Sequence, residues 1–370
     1  MTPGFPGDET STRDPSAAPP PGAAHPVRRP NALRRSLLGL LSAVALPASP
    51  TLAGTAAPRA ALFADPACAA HEPPAGHPDQ TARLAVVLDA LAPLVADGRL
   101  RPLPPEAARD ADLELVHDPA YIELARVEAA KGEERLSTGD TPLSRRSVEA
   151  AMAAVGCGLS AVDAVLAGRC RSAFCAVRPP GHHASARTGM GFGIFNTIAI
   201  AARHARRRHG LERILIVDWD VHHGNGTQAT FWSDGSVLFF DTHQHPWYPG
   251  TGESSETGEG RGAGLVVNRP LPAGTAGDTL LAIYDETLRR AADRFRPQLV
   301  LVSAGFDSRI GDPLGRFMLT DADFDAMTER VLDIADRHAG GRCVSILEGG
   351  YNLPGLASAA RAHVERLSRA

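Results

Sequence analysis

The chain has 370 residues, with 38 Lys+Arg against 42 Asp+Glu and a net charge of -4. That length fits one large domain or two modest ones, and the balanced charge lacks the basic excess that makes duplex nucleic acid a main partner. Five cysteines without a single CxxC pair exclude a disulfide scaffold and a zinc ribbon.

The chain opens on a leader. Residues 1–30 are rich in Pro, Ala, Gly and Ser, with too little apolar surface to offset the entropy of ordering. Arg34-Arg35 then precede an apolar run from Leu37 to Leu46, a break at Pro47, and small residues to Ala57. The run is about half of the ~20 residues a membrane span needs. A basic flank, a short apolar core and a small-residue tail are the order of a signal peptide. The Arg pair before Ser36 resembles a twin-arginine export signal, which implies a periplasmic or exported protein. Residues 1–58 are expected to be a disordered leader with a signal peptide, and Thr51-Leu52-Ala53 offers a cleavage site. Asp8, Glu9 and Asp14 are unusual in such a leader and support the alternative, a disordered tail on a cytoplasmic enzyme.

Residues 59–370 alternate two patterns. Apolar spacings of three and four predict helices over 80–97 and 146–167, and helical stretches follow at 194–208, 277–295 and 321–338. Short apolar runs predict strands at 173–177, 213–220, 237–240, 264–268, 298–305 and 343–347. Continuous apolar strands between helices indicate a mainly parallel sheet covered on both faces, a three-layer α/β/α domain. No apolar run beyond residue 58 is expected to span a membrane.

Polar residues gather where these strands end, the edge at which such sheets carry chemistry. In RILIVDWDVHHGNGT, strand alternation puts Asp218, Asp220 and His222 on one face. A hydrogen-bonded strand end would account for one Asp; two Asp and a His in this register suit a metal better. Asp307 ends a second strand in SAGFDSRIGDP, and as a third ligand it completes a site with an open position for water. RPPGHHA sets His182 and His183 on a loop after the 173–177 strand, suited to a general base. LEGGYN sets Tyr351 just past the 343–347 strand. Two carboxylates formally neutralise a divalent cation, so an amide carbonyl would gain from a second electrophile, and a phenol supplies one.

The ordered blocks DPACAAHEPPAGHPDQTARL, VHDPAY, GDTPLS, RPPGHHA, GFGIFN, VDWDVHHGNGT, YPGTGE, SAGFDSRIGDP and LEGGYN resemble the histone deacetylase family, in its class II and bacterial branch. The resemblance covers residues 60–370 and implies the arginase-deacetylase fold and a metal-dependent amidohydrolase acting on N-acetyl-lysine. It implies Asp220, His222 and Asp307 as ligands of zinc, with Fe(II) acceptable to the same donors. His183 would be the general base and then acid, His182 its electrostatic partner, and Tyr351 the oxyanion donor. Asp218 would pair with His182, and Asn225 with His183, leaving His183 less basic than an Asp partner would. Phe192 and Tyr248 would flank the acyl-lysine channel, and Asp140 would clamp the substrate backbone. The family also binds a monovalent cation such as potassium through carbonyls near Asp218, Asp220 and His222, with Asp241 nearby. Gly193 departs from the family's usual Cys, and the leader is not a family feature. Polyamine-selective members carry Glu where this chain has Leu314, which disfavours a cationic polyamine. Acetylpolyamines and other small acylated amines are the alternative substrates. A non-catalytic acetyl-lysine binder is the alternative of another class, and it predicts loss of Tyr351, a His or a ligand. An arginase-like two-metal site lacks a second ligand block.

Overall fold

Eight strands form one sheet in the computed structural model, which describes residues 59–369. The leader and its cleavage site lie outside the described residues. The strands are β1 (Ala60–Phe63), β2 (Leu100–Pro102), β3 (Ser172–Cys175), β4 (Ile214–Asp218), β5 (Val237–Gln244), β6 (Val266–Leu271), β7 (Leu299–Ala304) and β8 (Cys343–Leu347). Their order is β2-β1-β3-β8-β7-β4-β5-β6, and every pairing is parallel. The strands β3, β4, β7 and β8 are buried at every residue, as expected of a sheet covered on both faces.

The helices are α1 (Ala82–Ala96), α2 (Asp110–Leu113), α3 (Pro119–Lys131), α4 (Ser147–Leu166), α5 (Thr197–His209), α6 (Asn225–Phe231), α7 (Gly277–Ile283), α8 (Arg289–Phe295), α9 (Asp321–His338) and α10 (Leu353–Arg369). The expected 277–295 helix is α7 and α8 joined through a π-helical turn, Tyr284–Leu288. One described helix bears on the membrane expectation. By length and composition α4 could cross a bilayer, but most of its apolar window is buried inside the fold. Its residues Cys157, Ala161, Val162 and Val165 join the main core, which explains the apolarity without a membrane.

The order of the central strands decides where chemistry can occur. β3, β8, β7 and β4 are neighbours, so the loops leaving their carboxyl ends meet over the middle of the sheet. Those four loops carry His182 and His183, Tyr351, Asp307, and Asp220 with His222.

The strand bounds also correct the geometry expected for the DxDxH run. β4 ends at Asp218, so Asp220 and His222 do not share its pleat. Instead the Asp218 Oδ1 accepts the amide of Asp220 at 3.1 Å, and the Asp220 Oδ1 accepts the amide of His222 at 2.9 Å. Each Asp folds the chain over its own side chain two residues on, and that local bonding replaces the ladder.

Candidate metal centre and substrate channel

Asp220, His222 and Asp307 converge. One donor atom from each lies within 4.8 Å of the others, and all three residues are buried. The His222 Nδ1 lies 3.0 Å from the Asp220 Oδ1 and 3.2 Å from the Asp307 Oδ2. The remaining carboxylate oxygens are anchored: Asp220 Oδ2 accepts the Gly349 amide at 2.8 Å, and Asp307 Oδ1 accepts the Val221 amide at 2.9 Å. Backbone approaches this closely only at glycine. A Cβ on Gly349 would stand 2.0 Å from the Asp307 Oδ2 and 2.6 Å from the Asp220 Oδ2.

The electrostatics of the trio call for a cation. Burial, then the Asp220 charge, pushes the Asp307 carboxyl up to about 7. Burial opposes charge on His222, yet the hydrogen bond to Asp220 and the neighbouring Asp307 carboxylate raise its imidazole to about 10. The Asp307 Oδ2 has no hydrogen-bond partner although it is buried. A buried orphan oxygen beside an imidazole and a second carboxylate is a donor set that a divalent ion fits.

The two adjacent histidines have opposite environments. His182 lies beneath the channel floor, with its Nδ1 2.9 Å from the Asp218 Oδ2 and its Nε2 3.8 Å from the Asp220 Oδ1. Burial works against its charge, but Asp218 and Asp220 outweigh that and hold it well above the usual histidine range. His183 packs against it at 4.1 Å between ring centroids. Burial, reinforced by the charge of His182 and His222, holds His183 well below its ordinary value. Its Nδ1 lies 2.8 Å from the Asn225 Oδ1, a carbonyl that can only accept. The proton therefore sits on Nδ1, and Nε2 is left as a base.

A cavity of about 240 Å³ opens above these groups, and His183, His222 and Tyr351 face it. Phe192, Tyr248, Leu314 and Asp140 line its wall with Gly191 and Trp247, so the four expected channel residues are all there. Phe192 and Tyr351 meet edge to face at 5.8 Å, and Tyr248 meets His183 at 5.2 Å. Phe192 sits at φ 66°, a left-handed conformation that costs energy for a bulky side chain. The neighbouring Gly191 is required, because a Cβ there would lie 2.0 Å from the His183 ring. Asp140 holds this turn by accepting the Gly191 amide at 2.7 Å. Burial keeps the Tyr351 phenol protonated, well above its ordinary value.

Several supporting residues escape a reading of single motifs. Asp312 accepts the amides of Leu314 at 2.9 Å, Tyr351 at 2.7 Å and Asn352 at 3.0 Å, so one carboxylate ties the channel wall to the tyrosine loop. The Trp247 indole donates to the Leu314 carbonyl at 2.7 Å. Glu348 receives the amides of Gly181 and His182. Arg83, fully buried and paired with Asp79 at 2.6 Å, donates to the Gly350 carbonyl and lies 4.9 Å from the Tyr351 ring centroid. Arg83 and Asp312 do lie within the sequence blocks QTARL and GDP, but the bonds that tie them to the tyrosine loop, to Gly350 and Tyr351, span 267 and 39 residues.

A family model described as "Histone deacetylase domain" matches residues 77–367. The chain belongs to the histone deacetylase family. Within it, the chain is 39% identical over 298 residues to histone deacetylase 14, chloroplastic, of Arabidopsis thaliana, covering 76% of this chain and 70% of that one. It is 41% identical over 304 residues to the histone deacetylase-like amidohydrolase of Pseudomonas aeruginosa, covering 82% and 78%. It is 39% identical over 317 residues to the polyamine deacetylase HDAC10 of Homo sapiens, covering 83% of this chain but 46% of that one. The crystal structure of the HDA15 HD domain matches with a TM-score of 0.80 at 34% identity, over 84% of this chain and 90% of that chain. The histone deacetylase fold, a three-layer α/β/α sandwich, and a hydrolase of the deacetylase kind follow from that membership.

Proposed function

We propose that this histone deacetylase family member hydrolyses the amide of N-acetyl-lysine with a divalent metal, releasing acetate and a free amine. The observation that carries the reading is the channel itself: a narrow cavity between Phe192, Tyr248 and Leu314 that ends on His183, Tyr351 and the Asp220–His222–Asp307 trio. Zinc suits one imidazole and two carboxylates, and Fe(II) suits them too. When bound, the ion supplies Lewis-acid polarisation at the amide carbonyl and acidifies the attacking water.

The chain's own groups do the rest. His183 takes a proton from water at Nε2 and returns it to the leaving nitrogen as the C–N bond breaks. His182, paired with Asp218, holds a positive charge below the reacting atoms and keeps His183 neutral beforehand. Tyr351 donates its phenolic proton as a hydrogen bond to the carbonyl oxygen as negative charge develops there. Phe192 and Tyr248 flank the lysine methylenes, and Asp140 accepts from the substrate backbone. A monovalent cation near Asp218 and Asp241, buried neighbours in register on β4 and β5, belongs to the same proposal. So does export through the leader, which the mature N-terminal sequence in the host would test.

A second reading, deacetylation of small acylated amines, is favoured by the similarity to a protein named a polyamine deacetylase. Leu314 offers a free ammonium no counter-charge. A panel of acetyl-lysine peptides, acetylpolyamines and longer acyl-lysines, assayed on zinc-loaded protein, separates the two. The proposal expects kcat/KM to be highest on an acyl-lysine peptide; a preference for acetylpolyamines would replace it with the second reading.

A further inference from the structure

A second cluster of metal-ligating side chains lies away from the channel. Asp163 on α4 faces His204 and His209 on α5, and one donor atom from each lies within 4.8 Å of the other two. The His204 Nε2 is 2.8 Å from the Asp163 Oδ1, and the His209 Nε2 is 2.6 Å from the same oxygen. Two imidazoles from one helix therefore aim equivalent nitrogens at one point. The second oxygen of Asp163 has only a looser ion pair, with the Arg208 Nε 3.6 Å away.

We propose that Asp163, His204 and His209 form a second, structural site for a divalent transition-metal ion. Both Nε2 atoms and a carboxylate oxygen would coordinate it, and each ring would give up its Nε2 proton to solvent on binding. Two imidazoles and a carboxylate match zinc and its first-row neighbours, whereas magnesium and calcium prefer oxygen alone. The side chains of His204 and His209 are 10% and 25% exposed, so both rings are held in place while solvent can still reach the ion. An open cleft of about 350 Å³ beside Ser160, Asp163 and His204 gives entry and room for water ligands. Arg208 is the competing cation, and at 61% exposure it is free to swing into solvent.

The site's place in the fold separates it from the reaction. α5 begins at Thr197, next to Asn196, which donates to the His182 carbonyl in the catalytic loop. It ends at His209, and 13 helical residues extend about 20 Å. An ion at the far end would clamp α4 to α5 without touching the channel.

The proposal is tested with zinc on the full chain, by calorimetry and by elemental analysis after gel filtration. The wild type should hold two equivalents. His204→Ala combined with His209→Ala should hold one, with deacetylase activity unchanged. Asp307→Ala should retain one equivalent, which the two histidine substitutions then remove, so the result does not depend on the proposed reaction. His209→Ala alone, at the last residue of α5, guards against misfolding and should lower the second affinity at least 10-fold. Equal zinc content with and without His204 and His209, in folded protein, would overturn the site.

Discussion

At the scale of single residues, the channel floor assigns opposite jobs to chemically similar groups. His182 and His183 are adjacent in sequence, yet carboxylates face one and an amide carbonyl faces the other. Their ionisation is accordingly pushed apart, up for His182 and down for His183. On the proposed mechanism His183 acts in its neutral form, so its depressed value would let activity persist toward acid. Asn225→Asp adds a charge that favours the protonated ring, so the acidic limb of kcat/KM should move up by about one pH unit or more. A pH–rate profile with an unmoved acidic limb would separate Asn225 from His183 function. On the same proposal Tyr351 contributes a hydrogen bond needed only as charge develops. Tyr351→Phe should cut kcat by about 100- to 1,000-fold while KM and zinc content stay near wild type. Steady-state kinetics beside metal analysis reads all three.

At the scale of elements, four neighbouring strands deliver the site, and their loops close on one another through glycine. Gly349→Ala forces a methyl group against both ligand carboxylates, so it should lower zinc affinity and activity together, by about 10-fold or more. Zinc titration checks it, and a variant with unchanged affinity would mean that the loop after β8 has slack. These strands were legible because each is a short, mostly apolar run, buried at every residue. β1 and β2 were not: one follows a run of leader alanines and the other is a three-residue edge strand with two exposed positions. α10 escaped because its polar face hides a buried stripe of Leu356, Ala360, Val364 and Leu367. The candidate metal ligands stood out by spacing, although turns at Asp218 and Asp220, not strand pleating, place Asp220 and His222. Trp247 and Asp312 were not, since their work is to bond backbone groups of distant loops.

At the scale of the whole molecule, buried neutral histidines tie stability to pH. His363 lies between Thr328 and Ser345, 2.7 Å from each hydroxyl, and burial lowers it to about 3. The unfolded chain binds a proton near pH 6.5 that the folded chain refuses, so this stability is present above 6.5 and is lost as pH falls. The stability advantage of wild type over His363→Gln should therefore shrink by about 2 kcal/mol between pH 7 and pH 5. Urea unfolding at the two pH values measures it, and a pH-independent difference would mean that His363 is not held neutral. The central claim is narrower: Asp220, His222 and Asp307 hold the ion that amide hydrolysis requires. The most direct measurement is acetate release from an acetyl-lysine peptide by metal-stripped protein titrated with zinc, wild type beside Asp307→Ala. Wild type should be inactive when stripped and recover with zinc, whereas folded Asp307→Ala should remain at least 100-fold slower at the zinc concentration that restores wild type. Full activity in stripped wild type, or in Asp307→Ala, would contradict it.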